Sequence, residues 1–243
     1  MSKRLSIILP VYNEKATASL LIDKVLAVSL PGIEKEIIAI ESRSTDGTRE
    51  VIELYAAEKK LKAIYEDRPM GKGHAVKTGL AAATGDWVLI QDADLEYDPA
   101  DYPKLLAPLG TGAAAFVLGS RHLGHADWRY RRQGTARWIG YFIDCGAWVY
   151  TKLFNTLYGV SLTDAATMYK VFERRCLEGI HLESDGFELD FEIVGKFVRK
   201  GWIPVEVPVS YESRSFEEGK KVRIWRDGWR VLAAIIRFRF KAL

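Results

Sequence analysis

Cysteine is scarce in this 243-residue chain: only Cys145 and Cys176 are present. Two cysteines make no disulfide scaffold, and no zinc-type spacing exists. Histidine is almost as rare. His122 and His125 stand three apart with no third ligand nearby, His74 and His181 are solitary, and all four read as non-ligands. Neither cysteine has a histidine partner and no nucleophile elbow occurs, so covalent nucleophilic catalysis lacks support. Excess charge is missing too. A net charge of +3 argues against a nucleic-acid partner. Long apolar runs are interrupted: Trp138–Val160 carries Asp144 and Lys152, which argues against a membrane span of about 20 residues. At the N-terminus, Pro10, Asn13 and Glu14 end the first apolar run too early for a signal peptide, and the expected compartment is the cytosol. Repeats and low-complexity stretches are absent, and 48% apolar content suits an ordinary globular fold.

What is present is alternation. Leu5–Leu9, Glu36–Ile40, Leu61–Tyr65, Trp87–Gln91 and Phe116–Leu118 read as buried strands. Helical patterns lie between them at Ala16–Val28, Gly47–Lys60, Gly73–Ala83 and Pro99–Ala107. This order predicts an α/β chain with a Rossmann-like, mostly parallel sheet flanked by helices. Ligands of such sheets sit at the carboxyl ends of the strands, where polar clusters follow residues 11, 40, 65 and 91. Further on, Phe187–Arg199 and Arg223–Phe240 read as helices. Ile203–Tyr211 alternates like a strand, at an edge because of Pro204 and Pro208. The charge is unevenly placed. Residues 214–243 hold 9 basic and 3 acidic residues, the rest 26 and 29. That basic, apolar-interleaved tail suits an anionic membrane surface. Trp138–Tyr158 reads either as an interfacial helix with aromatics at headgroup depth or as a core-packing helix with one wet face.

Asp92-Ala93-Asp94 follows a predicted strand. Two carboxylates at a turning strand end suit one hard cation, Mg2+ or Mn2+, which also takes substrate phosphates. Glu96 is a candidate third oxygen. Gly71-Lys72-Gly73 precedes a helix and offers backbone amides and a point charge to an anion, without P-loop spacing. Ser44-Thr45-Asp46-Gly47-Thr48 reads as turn and helix-cap chemistry.

Taken together with Ile8-Leu9-Pro10-Val11-Tyr12-Asn13-Glu14, these motifs resemble glycosyltransferase family 2 with the GT-A fold. Gly119-Ser120-Arg121, Leu162-Thr163-Asp164, Tyr169-Lys170-Val171-Phe172, Val205-Glu206-Val207-Pro208-Val209 and the segment Arg214 to Lys221 narrow the resemblance to the dolichol-phosphate mannose synthase group. It spans nearly the whole chain. It implies a single GT-A domain, with residues 1–120 serving donor and metal and residues 121–243 serving acceptor and membrane. It implies that Pro10, Tyr12, Glu14 and Glu41 line the nucleotide pocket. Asp92, Asp94 and Glu96 would hold the metal. Arg121 and a neighbour such as Arg137 would face the acceptor phosphate, and Arg214 and Lys221 would close over the phosphates. Where the family usually carries Asp-Asp or Asp-Asn, this chain has Glu41-Ser42. Asp190 and Glu192 have two open roles, base or acceptor orientation. The implied activity is inverting, metal-dependent transfer of a hexose, mannose first, from GDP-mannose or a UDP-hexose to a polyprenyl phosphate. The implied location is peripheral, on the cytoplasmic face of a membrane. A soluble hydroxyl acceptor and a non-catalytic nucleotide-sugar-binding membrane scaffold are the competing readings.

Overall fold

The computed structural model describes residues 2–124, 137–214 and 224–242. Strands form where the apolar runs lie. β1 (Lys3–Val11), β2 (Ile33–Glu41), β3 (Lys62–Tyr65) and β4 (Trp87–Ile90) run parallel in the order β3-β2-β1-β4. Leu5, Ile7, Ile8 and Leu9 are fully shielded, as are Val88, Leu89 and Ile90. Such unbroken burial is what a parallel strand covered on both faces requires. The crossovers are α1 (Ala18–Ala27), α2 (Thr48–Ala57) and α3 (Lys72–Ala82). In α1 the buried residues Leu21, Ile22 and Val25 recur at helical spacing.

The chain continues through α4 (Tyr102–Gly110), β5 (Phe116–Ser120), α5 (Arg137–Tyr158), β6 (Lys170–Glu173), α6 (Leu189–Arg199), β7 (Val205–Pro208) and α7 (Ile224–Phe240). Among the described residues the sheet has seven strands, ordered β3-β2-β1-β4-β6-β5-β7. It is the α/β, mostly parallel sheet expected from the sequence, with one departure. β6 is antiparallel to both β4 and β5. Lys170 interrupts its apolar pattern, and pairing on both sides completes the strand. β7 lies at the sheet edge beside β5 and ends at Pro208, as its prolines predict.

α5 and α7 pack together: the Tyr150 and Tyr158 hydroxyls donate to the carbonyls of Gly228 and Ile235, each at 3.1 Å. One apolar cluster extends from Leu5 through Phe154 and Phe197 to Ile235. α5 packs on the core along one face and is exposed along the other. Phe154 is in the core, while Trp148 and Val149 are each 51% exposed. Among the described residues no helix is long and apolar enough to cross a membrane.

Candidate active site

The carboxyl ends of β1, β2 and β4 open on a cavity of about 980 Å³. Its first wall is the loop after β1. Asn13 adopts a left-handed backbone (φ 49°), and its amide donates to Ser44 Oγ at 2.9 Å. Its Oδ1 accepts from the Thr45 amide at 2.8 Å, and the Glu14 amide donates to Thr48 Oγ1 at 2.8 Å. Asp46 Oδ1 accepts the Thr48 amide at 3.0 Å. The Ser44–Thr48 motif therefore latches two strand-end loops together, and Pro10, Tyr12 and Glu14 face the cavity.

Glu41 lies behind this wall rather than in it, which corrects its expected place in the lining. Its side chain is fully buried toward α2, where Arg49 Nη1 lies 4.0 Å away. Its Oε1 accepts the Ser44 amide at 2.6 Å and closes the 41–44 turn, in which Arg43 has φ 55°. Ser42, next in the chain, faces the cavity.

The Gly71-Lys72-Gly73 turn, whose Gly71 and Lys72 line the cavity, also has a packing role. A Cβ on Gly71 would stand 2.3 Å from the Asp185 carbonyl oxygen, and one on Gly73 2.7 Å from that of Ser184. The glycines thus permit close approach of the 184–186 backbone to the start of α3. Lys72 Nζ donates to Asp92 Oδ2 at 2.7 Å. Burial works against the Lys72 charge, but the Asp92 and Asp190 carboxylates outweigh it and raise its pKa.

Asp92, Asp94 and Glu96 all reach the cavity. Burial pushes the Asp94 carboxyl up to about 7, reinforced by Asp92 and Glu96 and opposed by Arg214. Burial likewise raises Asp92, against Lys72. Arg214, just after β7, crosses to this cluster. Its Nη1 donates to Glu14 Oε2 at 2.8 Å, and its Nη2 to Glu14 Oε1 at 3.2 Å and to Asp94 Oδ2 at 3.1 Å. Glu96 Oε1 accepts the Arg214 amide at 2.8 Å and Oε2 the Tyr211 hydroxyl at 2.6 Å. Asp92 is thus turned to Lys72, while Asp94 and Glu96 both engage Arg214. Among the described residues no three His, Cys, Asp or Glu side chains gather as a metal-binding group. The donor set still suits a hard divalent ion. Mg2+ needs only one or two carboxylates beside substrate phosphates, and Asp92 and Asp94 sit in the most carboxylate-crowded part of the cavity.

The opposite wall is different. Arg121 is buried, and its Nε and Nη2 donate to Asp164 at 2.6 and 2.7 Å. Burial would raise the Asp164 pKa, but Arg121 overrides it and lowers the value. Asp190 is held by Lys170 Nζ at 2.8 Å; Lys170 has no solvent exposure, and burial lowers its pKa against the pull of Asp190. Glu192 does not reach the cavity: its oxygens accept the Glu183 and Ser184 amides at 2.8 and 2.7 Å. The rest of this wall is apolar, with Ile143, Ala147 and Tyr150 of α5, Phe191 of α6 and Val231 of α7. Lys221 and the Arg137 side chain lie outside the described residues. Sequence reasoning assigned no role to Asp164, Lys170, Glu206 or Tyr211. A lysine at the head of the apolar Val171-Phe172 pair was the available signal for Lys170.

The family model for Glycosyl transferase family 2 matches residues 6–179. Among curated proteins, the chain is 30% identical over 227 residues to the low-salt glycan biosynthesis hexosyltransferase Agl6 of Haloferax volcanii, covering 93% of this chain and 51% of that protein. It is 26% identical to a dolichol-phosphate mannosyltransferase of Pyrococcus furiosus, covering 89% and 59%. It is 24% identical to an undecaprenyl-phosphate 4-deoxy-4-formamido-L-arabinose transferase of an Enterobacter species, covering 89% and 62%. The chain thus spans between about half and three-fifths of the length of these relatives. Among solved structures, a glucosyl-3-phosphoglycerate synthase from Mycobacterium tuberculosis superposes with TM-score 0.70 at 20% identity, covering 98% of this chain and 80% of that one. That protein was crystallised with Mn2+, UDP-glucose and phosphoglyceric acid. The likeness concerns the fold, which is GT-A. The resemblance to the dolichol-phosphate mannose synthase group holds in these relatives. On the length of the family match, the chain belongs to glycosyl transferase family 2.

Proposed function

We propose that the chain transfers a hexose from a nucleotide diphosphate sugar to a polyprenyl phosphate at a membrane surface, with inversion at the anomeric carbon. One observation carries this reading: a single cavity joins the carboxylate-rich strand ends to Arg121 and to the apolar wall of α5 and α7. Donor, acceptor phosphate and lipid each have a matching surface within it. Residues 1–120 serve the donor and the later residues mainly the acceptor, with Arg214 crossing to the donor side, within one domain. The polyprenyl-phosphate sugar transferases among the relatives support the acceptor class.

An acceptor phosphate oxygen attacks the anomeric carbon as the bond to the donor diphosphate breaks, and the nucleoside diphosphate leaves. The second pKa of a phosphate monoester is about 6, so the nucleophile is largely ionised and needs no strong general base. Asp190, tied to Lys170, then orients the acceptor rather than taking its proton. Asp92 and Asp94 would hold Mg2+ or Mn2+, which supplies positive charge against the diphosphate. Arg214 and Lys72 bring cationic groups to the donor side and Arg121 one to the acceptor side, which offsets the repulsion between two anions. Tyr12 and Pro10 line the nucleotide end.

Membrane contact is supported by exposed apolar side chains on the two C-terminal helices: Trp148 and Val149 on α5, and Trp229, Ile236 and Phe240 on α7. Arg230 and Arg237 are exposed on the same helix as the last three. Aromatics with neighbouring cations suit an anionic headgroup layer. The test is a donor panel (GDP-mannose, UDP-glucose and other nucleotide hexoses) against polyprenyl phosphate in liposomes, with Mn2+ or with chelator. Metal-dependent transfer to the lipid is expected. Transfer only to a soluble acceptor, or none with any donor, overturns the reading.

A further inference from the structure

Arg121 is held by a carboxylate that is itself held. Asp164 accepts three hydrogen bonds from this one residue: Oδ2 from its amide at 3.1 Å and from Nε at 2.6 Å, and Oδ1 from Nη2 at 2.7 Å. That geometry fixes the guanidinium plane and leaves Nη1 outside the Asp164 pairing. Asp164 in turn is placed by Glu206, on the edge strand β7 and outside the cavity lining. Glu206 Oε1 accepts the Asp164 amide at 2.9 Å and the Thr163 hydroxyl at 3.0 Å, and Oε2 accepts the Thr163 amide at 2.7 Å. A second path runs beside the first. Thr163 Oγ1 meets Ser120 Oγ at 2.7 Å, and Ser120 Oγ accepts the amides of His122 and Leu123 at 3.2 and 3.1 Å. Both the side chain of Arg121 and the turn that carries it therefore lead back to Glu206.

We propose that Glu206 is a positioning residue for acceptor-phosphate binding. It sets Thr163 and Asp164, and through them it presents the Arg121 guanidinium to the cavity in one orientation. The inference rests on the reading that Arg121 meets the acceptor phosphate.

The chemistry of Glu206 fits this role better than that of a simple strut. Among the described residues no lysine or arginine pairs with it, and burial raises its carboxyl pKa against the lowering effect of its hydrogen bonds. A carboxylate held at that disadvantage, with three donors aimed at it from two consecutive residues, organises those residues. The pairing of β7 with β5 puts Glu206 opposite Leu118, three residues before Arg121, so the relay is short. A guanidinium already ordered loses less freedom when it binds phosphate, and affinity rises accordingly.

The test uses the full chain with GDP-mannose, or whichever nucleotide hexose is active, and farnesyl monophosphate as the acceptor probe. Glu206→Gln preserves shape but sets an amide NH2 against donors. The acceptor KM is expected to rise about tenfold, with kcat and donor affinity within about twofold. In an Arg121→Ala background, Glu206→Gln should add nothing further to the acceptor KM, because the relay has lost its end. Equal losses in donor affinity and kcat, or fully additive effects in the double variant, overturn the proposal. Thr163→Val, which removes one donor to Glu206 and the contact to Ser120, gives a second route if Glu206→Gln folds poorly. Hydrogen exchange of the Arg121 Nε proton by NMR separates the two layers of the argument. Faster exchange in Glu206→Gln supports the positioning relay even if Arg121→Ala leaves the acceptor KM unchanged, an outcome that defeats only the phosphate assignment. Unchanged exchange overturns the relay.

Discussion

Asp94 lines the cavity among other carboxylates, Asp164 stands behind the lining residue Arg121, and their chemistry diverges. Asp94 has carboxylates for neighbours and is pushed up to about 7. Asp164 has Arg121 against it and is lowered, although burial acts on it in the same direction. Burial alone raises a carboxyl pKa; the partner decides the final sign. The wall of Asp92, Asp94 and Glu96 concentrates carboxylates, which suits a divalent cation. On the other side Arg121 is matched to Asp164 and Lys170 to Asp190, which fixes those buried cations in place.

The largest effect should come from breaking the paired wall. Asp164→Ala leaves Arg121 buried without its carboxylate, a loss of about 3–5 kcal/mol. For a chain of this size that is a melting temperature lower by roughly 10 °C, measurable by calorimetry. On the crowded wall, Asp94→Asn is expected to keep the fold and lower transfer about 10²- to 10³-fold, read in the donor assay. Undiminished transfer would remove Asp94 from the chemistry. Gly73→Ala should cost about 1–3 kcal/mol by forcing the 184–186 backbone away from α3, read by denaturant unfolding.

The pH dependence sharpens the contrast. Metal binding needs Asp94 ionised, so Mn2+ affinity should fall about tenfold per pH unit below pH 7, with proton release seen by calorimetry in two buffers. Stability of the metal-free chain runs with the opposite sign. Between the ordinary 3.8 and about 7, folded Asp94 holds a proton that the unfolded chain has released, so this carboxyl lowers stability as pH rises through that window. Asp164 contributes stability that is present above its unfolded pKa and lost as pH falls through its lowered folded value. Asp94→Asn should remove the first slope and leave the second.

Much of the fold was legible because it is local. Five apolar runs separated by helical periods specify strands of a mostly parallel sheet, and each lies within or overlaps its observed strand, although β3, at the sheet edge, has no buried residue. The Asp92-Ala93-Asp94 turn was legible for the same reason: strand, turn and carboxylates are contiguous. β6 was not, since Lys170 interrupts its apolar pattern and its antiparallel pairing with β4 and β5 is long-range. The packing role of Gly71 and Gly73 was not legible, because the backbone they accommodate lies more than 100 residues away. Glu41 was expected in the cavity wall. Its orientation toward Arg49 depends on which face of the sheet α2 covers, and strand periodicity does not reveal that.

The sequence by itself determined the α/β class, the strand ends where polar residues gather, and the family. Hydrophobic periodicity and contiguous motifs act over a few residues, so they survive being read in one dimension. Only the tertiary structure decided which charges meet. Arg214 reaches Glu14 across 200 positions, and Glu206 meets Asp164 across 42. A charge in the sequence carries its sign but not its partner. In a buried site the partner sets the pKa, the orientation and the work the residue can do.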